Sequence, residues 1–151
     1  MKPDEVYEYA KENIFKRKIE EVSVEEVRKV LELAYDAEMP ELVAIPYFGL
    51  EEEVSYTYEE LVALCPMTGI MDAYKVTITY TPNQHVCELK SLRFYFLAYR
   101  NLPITHELLL SKIWKEFKEA VKPKSLKVEL EVAVRGGVKT VIRKEWKEEV
   151  K

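Results

Sequence analysis

The sequence is poor in cysteine, histidine and glycine: of its 151 residues, 2 are Cys, 2 are His and 4 are Gly. Two cysteines cannot form a disulfide framework, and such low usage is typical of a protein in a reducing compartment such as the cytoplasm. The cysteines and histidines lack the paired spacing of a zinc site, so we expect no structural metal. Neither a glycine-rich dinucleotide-binding motif nor a phosphate-binding loop occurs.

Long apolar segments are also missing. No run approaches the roughly 18–20 apolar residues that span a bilayer, and the charged N-terminus, MKPDEVYEYAKENIF, is not typical of a secretory signal. Hydrophobic residues make up 48% of the chain and charged residues 33%, a composition typical of a folded globular protein. We therefore expect a single cytoplasmic domain over residues 1–151 with no membrane partner.

Charged residues are unevenly distributed along the chain. Residues 1–64 hold 17 acidic and 7 basic side chains, whereas residues 112–151 hold 7 acidic and 12 basic ones. The two ends can simply be solvated surface, or the basic C-terminal third can attract a phosphorylated ligand or nucleic acid. Between them few charges remain, so each charged residue of the middle region is a candidate for a specific role.

Two amphipathic helices are predicted in the first 40 residues. The first covers about residues 3–18, where apolar residues recur every four positions. The second begins at a capping box, the sequence SVEE at Ser23–Glu26, and continues to about Asp36. Prolines then predict an irregular connector, followed by a short strand near 54–58 and a helix-like or loop segment that leads to Cys65.

From residue 72 onward the hydrophobic periodicity predicts the order strand, strand, helix, helix, strand, strand. A turn at Thr81–Gln84 would return the second strand onto the first. A four-stranded antiparallel sheet with a helix pair on one face fits that order. The predicted bounds are 74–80 and 85–88 for the first two strands, 89–99 and 105–121 for the helices, and 126–134 and 138–146 for the last two strands.

Residues that could carry chemistry are concentrated in three segments, LCPMTGIMD, CELKSLRFYF and YRNLPITHE. Cys65 is predicted to lie in a turn, flanked by proline and glycine, where a substrate can reach it. A thiolate there would be a nucleophile, and Asp72 could exchange a proton with it. Glu107 follows a predicted helix start, where capping alone would explain a carboxylate.

Taken together, these segments resemble a known enzyme family. From about Tyr56 to Lys144 the chain resembles the NADPH-dependent 7-cyano-7-deazaguanine reductases, the nitrile reductases of queuosine biosynthesis, in their short single-domain form. The matching segments are LCPMTGIMDA, ELKSLRFYFLAYRN, the HE pair at residues 106–107 and RGG at residues 135–137. The resemblance implies the α+β tunnelling fold, with a ββααββ core over residues 54–146 that follows a helical N-terminal extension, residues 1–40.

The resemblance also implies roles for the matching residues. Cys65 would add to the nitrile carbon and form a covalent thioimide, Asp72 would donate a proton, and two NADPH molecules would be consumed. Subunits would form a homo-oligomer, expected as stacked rings with active sites between neighbours. The residues implied for the substrate are Cys87, Glu88, Leu89, His106 and Glu107, and those for NADPH are Lys90, Ser91, Arg93, Arg135 and Gly136.

Two other functions stay open at this stage. An archaeal amidinotransferase relative forms the same thioimide on 7-cyano-7-deazaguanine in tRNA, after which ammonia attacks and archaeosine results. The basic C-terminal third suits that reaction, whereas the nearly complete segment ELKSLRFYF favours the reductase. A non-catalytic tunnelling-fold protein that binds purine-like or pterin-like ligands would keep Glu107 but would not need Cys65 or Asp72. The role of residues 1–40, the ring size and any pairing of Cys65 with Cys87 do not follow from the sequence.

Overall fold

A computed structural model describes residues 1–149 of the chain, and it describes Arg135 by its backbone alone. A π-helical turn at 11–15 extends the first helix, and a 3-10 turn at 98–101 extends the third. No helix in this described part is long and apolar enough to cross a membrane. The elements are α1 (Pro3–Ala10), α2 (Val24–Tyr35), β1 (Ala44–Pro46), β2 (Val54–Leu64), β3 (Met71–Thr81), β4 (His85–Cys87), α3 (Leu89–Leu97), α4 (His106–Val121), β5 (Ser125–Arg135) and β6 (Val138–Lys147).

The main sheet is antiparallel, and its strand order is β2-β3-β5-β6. Every second residue of β3 and β5 is buried, as expected for strands that place one face against helices. Helices α3 and α4 lie on that face, and their apolar sides complete the main hydrophobic core. The predicted α+β architecture, two strands, two helices and two strands, is confirmed.

Two predictions about individual strands are wrong. The segment before Cys65 is neither helical nor a loop, because β2 continues to Leu64. Its alternation is hidden in the sequence by a bulge between Tyr58 and Leu61, where two consecutive glutamates are exposed and the buried positions change phase. Strand β4 does not return onto β3 but pairs with β1 in a separate two-stranded sheet. The partner of β3 at that edge is β2.

The two N-terminal helices are present as predicted and pack on the rest of the chain. Val6 of α1 and Ala34 of α2 are fully buried and belong to the main core. Lys112 of α4 is also buried, and its ammonium donates hydrogen bonds to the carbonyls of Tyr35 (2.7 Å) and Ala37 (2.9 Å). Because these carbonyls end α2, a side chain of α4 fixes the C-terminal end of the extension.

A carboxylate compensates the buried charge of Lys112. Glu116 accepts a hydrogen bond from its ammonium at 3.2 Å and another from the hydroxyl of Tyr95 at 2.7 Å. Burial lowers the pKa of Lys112, whereas the nearby Glu116 carboxylate opposes that shift. The result is a satisfied polar cluster that joins α2, α3 and α4.

Candidate active site

The predicted cysteine turn is present at the end of β2. The amide of Cys65 donates to the carbonyl of Ile70 (2.8 Å), and the amide of Gly69 donates to the carbonyl of Cys65 (2.8 Å). Gly69 has a φ of +74°, a conformation that side chains with a Cβ rarely adopt. Cys65 itself is partly exposed and forms no disulfide. The turn therefore presents a thiol to solvent at one end of the main sheet.

Backbone hydrogen bonds connect this turn to the segment that precedes α4. The amide of Leu64 donates to the carbonyl of Leu102, and the amide of Ile104 donates to the carbonyl of Leu64, both at 3.0 Å. On the other side, Asp72 of β3 lies opposite Ala63 of β2, and its side chain is on the face covered by helices, with 8% of the residue exposed. Cys65, Asp72 and the first turn of α4 are thus brought to the same end of the sheet.

The first turn of α4 carries an uncompensated carboxylate. Thr105 caps the helix, because its hydroxyl accepts the amide of Leu108 at 3.4 Å. Glu107 is exposed and forms no hydrogen bond or ion pair with another residue between 1 and 149. Glu107 therefore makes no capping hydrogen bond, although the partial positive charge of the helix N-terminus favours an anion at its position.

Sequence analysis missed one residue of this site, Tyr74. Its hydroxyl lies 2.7 Å from Nδ1 of His106, and the two rings contact edge to face with centroids 5.4 Å apart. The contact fixes the imidazole of His106 beside Glu107 and leaves its Nε2 for a ligand. The only signal in the sequence was that Tyr74 follows Asp72 by two positions, which puts both side chains on one face of β3.

Cys87, the second cysteine, is buried at a different place. Its amide donates to the hydroxyl of Tyr80 (3.1 Å), and its carbonyl accepts from the hydroxyl of Tyr56 (3.4 Å). Burial, and then the neighbouring Glu88 carboxylate, raise the pKa of the Cys87 thiol to about 12. The thiol therefore stays protonated and is a poor nucleophile at neutral pH.

Glu88 and Ser91 have hydrogen-bonding roles within the fold. The carboxylate of Glu88 caps α3 by accepting the amides of Lys90 and Ser91, each at 2.7 Å, and these bonds lower the pKa of Glu88. The hydroxyl of Ser91 is buried, donates to the carbonyl of Glu88 and accepts the amide of Val43. The binding roles implied for Glu88, Leu89 and Ser91 remain predictions.

Lys90 and Arg93 are available for an anionic ligand. Both are exposed on α3, three positions apart, and neither forms a salt bridge with a residue that the structure describes. Arg93 lines an open groove between α3 and β2, together with Leu92 and Phe96. Two cations on one helix face that form no salt bridge suit the phosphates of a dinucleotide, although Glu88 lies close to Lys90, and Glu59 and Glu60 line the same groove as Arg93.

The remaining predicted residues lie in the hairpin that joins β5 to β6. Because Val132 of β5 pairs with Tyr74 at the beginning of β3, this hairpin is at the same end of the sheet as Cys65. Gly136 and Gly137 have φ of +62° and +81°, which a tight turn between strands requires. The side chain of Arg135 lies outside the described part of the structure, and its implied role stays a prediction.

The predicted site residues thus form two groups, one around Cys65 and one that begins at Cys87. Cys87 is hydrogen-bonded to Tyr80, which lies eight positions after Asp72 on β3. At about 3.3 Å per residue, a strand of that length spans roughly 26 Å. Within one chain, the structure therefore places Cys87, where the segment 87–93 begins, far from Cys65 and Asp72.

Comparison with known proteins identifies one family model and several enzymes of one name as similar to this chain. A family model described as QueF-like protein matches residues 72–151. The NADPH-dependent 7-cyano-7-deazaguanine reductase of Caldicellulosiruptor bescii is 40% identical over 103 residues, which cover 67% of this chain and 79% of that enzyme. The enzyme of the same name from Thermoanaerobacter pseudethanolicus is 34% identical over 114 residues, or 76% of this chain and 86% of the relative.

A solved structure shares the fold. The crystal structure of an archaeosine synthase, QueF-Like, in the apo form superposes with a TM-score of 0.57 at 22% sequence identity, and the match covers 70% of this chain and 100% of that chain. At this identity the likeness supports the tunnelling fold alone.

Proposed function

The chain belongs to the family of the NADPH-dependent 7-cyano-7-deazaguanine reductases, and we propose that it reduces the nitrile of 7-cyano-7-deazaguanine to the aminomethyl group of 7-aminomethyl-7-deazaguanine, a step of queuosine biosynthesis. One nitrile, two NADPH and two protons yield one primary amine and two NADP⁺. The observation that carries this proposal is the exposed thiol of Cys65, held at one end of the sheet with Asp72 and the first turn of α4.

In the proposed mechanism Cys65 makes the nitrile carbon reactive. Asp72 takes the thiol proton, the sulfur forms a C–S bond with that carbon, one π bond of the nitrile breaks, and the nitrogen takes up the proton from Asp72. The thioimide that results divides a difficult reduction into easier steps. NADPH, when bound, supplies the hydrides. When the C–S bond later breaks, Cys65 is restored as a free thiol, and Asp72 is the group that exchanges protons with the substrate nitrogen.

We further propose that the first turn of α4 recognises the base. The carboxylate of Glu107 can accept two N–H groups from the aminopyrimidinone edge, a charge-assisted pairing with high discrimination. His106, oriented by Tyr74, supplies Nε2 as a second polar contact. Since Glu107 has no partner in the described part of the chain, a ligand does not have to displace one.

We assign the binding of NADPH to Lys90 and Arg93. The separation of the group around Cys65 from the group that begins at Cys87 supports an active site shared between subunits. Strands β2 and β6 are the edges of the main sheet, where unpaired backbone groups can pair with another chain. We propose a homo-oligomer in which the segment 87–93 of one copy faces the Cys65 turn of its neighbour. Because the N-terminal extension shares the main core, residues 1–151 are proposed to act as one domain, and the low cysteine content supports a cytoplasmic location.

The test measures adduct mass and NADPH oxidation on the same samples. Incubation with 7-cyano-7-deazaguanine in the absence of NADPH should add one substrate mass to the wild type and to Cys87→Ala, but none to Cys65→Ala. The double variant Lys90→Ala with Arg93→Ala should still form the adduct and should fail to oxidise NADPH. If the wild type forms the adduct but never oxidises NADPH, while ammonia converts the nitrile in tRNA to an amidine, the protein is the transferase instead.

A further inference from the structure

The N-terminal extension contacts the catalytic turn directly. The ring of Phe15, at the end of the π-helical turn, lies close against Gly69: a Cβ added to Gly69 would be 2.9 Å from Cδ2 of Phe15 and 3.1 Å from Cγ. A residue with a Cβ at position 69 would therefore have to displace that ring. Two features thus favour glycine at position 69: the positive φ of the backbone and the close approach of the Phe15 ring.

The start of α2 also lies beside the same turn. Met67 lines a shallow groove with Val22, Val27 and Leu31, at the N-terminal end of that helix. The turn itself, CPMTGI, is held by short-range hydrogen bonds; in one of them the amide of Gly69 donates to the carbonyl of Cys65. Residues of the extension thus lie against the Cys65 turn at Gly69 and beside Met67, whereas the turn's own hydrogen bonds are local.

The extension is itself firmly attached elsewhere. Its C-terminal end is hydrogen-bonded to the buried ammonium of Lys112, and Val6 and Ala34 are part of the main core. Close-packed apolar contacts resist displacement. The helical segment that carries Phe15 is thus anchored, and Phe15 itself is partly buried against the small cluster of Ala10, Ile14 and Val30.

We propose that the N-terminal extension positions the Cys65 turn for attack on the nitrile, and that Phe15 is the positioning residue that acts through Gly69. The chemical part of this inference rests on the proposed function, whereas the contact does not. Loss of the ring lets the turn move, and a shift of about 1 Å at a reacting atom is enough to slow a reaction on the order of 100-fold.

The first experiment separates positioning from binding. In Phe15→Ala the rate constant for adduct formation at saturating 7-cyano-7-deazaguanine should fall by about tenfold or more, with the substrate dissociation constant within about twofold of wild type. Phe15→Tyr keeps the ring and should restore the rate. Leu33→Ala is the matched control, because Leu33 is a partly buried residue of the same extension that packs on the main core. A rate in Phe15→Ala within about twofold of wild type, or an equal loss in Leu33→Ala, would overturn the inference.

The second experiment does not depend on the substrate. Hydrogen exchange of the peptide that contains residues 65–70 should be faster in Phe15→Ala than in wild type, and unchanged in Leu33→Ala and Phe15→Tyr. If wild type forms no nitrile adduct but exchange changes as expected, the proposed function fails and the positioning contact stands. If exchange at 65–70 is the same in all four proteins, the extension does not position the turn.

Discussion

Two inactive variants should restore each other's activity if the active site is shared between subunits. Cys65→Ala removes the nucleophile at one end of the main sheet. Lys90→Ala with Arg93→Ala removes two cations of α3, the helix that follows Cys87, and Cys87 is bonded to β3 roughly 26 Å from Asp72 along that strand. Each protein alone should fail to oxidise NADPH. In a mixed oligomer some interfaces combine the intact end of one variant with the intact end of the other.

The size of the effect follows from random assembly. At equal concentrations, a given interface receives an intact Cys65 end with a chance of one half and an intact segment 87–93 with the same chance, so about one quarter of the sites are complete. The activity per chain should therefore reach about a quarter of wild type and should fall as the mixing ratio departs from one to one. If the Cys65 turn and the segment 87–93 of the same chain formed one site, mixing the variants would not restore NADPH oxidation.

The assay is NADPH oxidation by oligomers that contain both variants. The variants are expressed together with different tags, and purification over both tags confirms that the oligomers are mixed. The matched control pairs Cys65→Ala with Glu107→Ala, whose lesions lie at the same end, so no interface can be complete. Doubly tagged oligomers of the first pair that remain inactive, or a control pair that recovers equally well, would refute the shared site.

Three further predictions concern single residues. Glu107→Gln should weaken substrate binding at least tenfold, by titration calorimetry, since a hydrogen bond to a charged group contributes about 1.5–3 kcal/mol; an unchanged dissociation constant would show that Glu107 is not a substrate contact. Iodoacetamide at pH 8 should modify Cys65 and spare Cys87, whose pKa is about 12 because of burial, and mapping of the alkylated peptides checks this. Lys112→Met should lower the free energy of unfolding in urea by about 3–5 kcal/mol, because it leaves two carbonyls and a carboxylate without their donor, whereas the exposed Lys29→Met should change it by less than about 0.5 kcal/mol.

Much of the fold could be predicted because its signals are local. The capping box at Ser23, the helical period of α4 and the alternation of β3 and β5 each occupy a few consecutive residues, and the structure confirms them. The length of β2 could not be read, because a bulge at Glu59–Glu60 changes the phase of its alternation. The pairing of β4 with β1 depends on how the rest of the chain packs, and the three residues of β4 do not specify it.

The candidate site shows the same division. The turn at Cys65 was predictable from its proline and glycine, which act on their immediate neighbours. The contact of Tyr74 with His106 joins residues far apart in the chain, and so does that of Phe15 with Gly69. Such pairs depend on how whole elements pack, and no short segment of the sequence encodes them.

The separation of the two cysteines also determines how the protein responds to oxidants. A disulfide requires Cα atoms within about 7 Å, whereas Cys65 and Cys87 of one chain lie at opposite ends of β3, and burial keeps the thiol of Cys87 from exchange with any other thiol. Cys65 therefore has no resolving cysteine in its own chain. Within its own chain, a Cys65 that peroxide converts to the sulfenic acid meets no second thiol to capture that state, and continued exposure then takes the sulfur on to the sulfinic acid, which ordinary thiol reductants do not reverse.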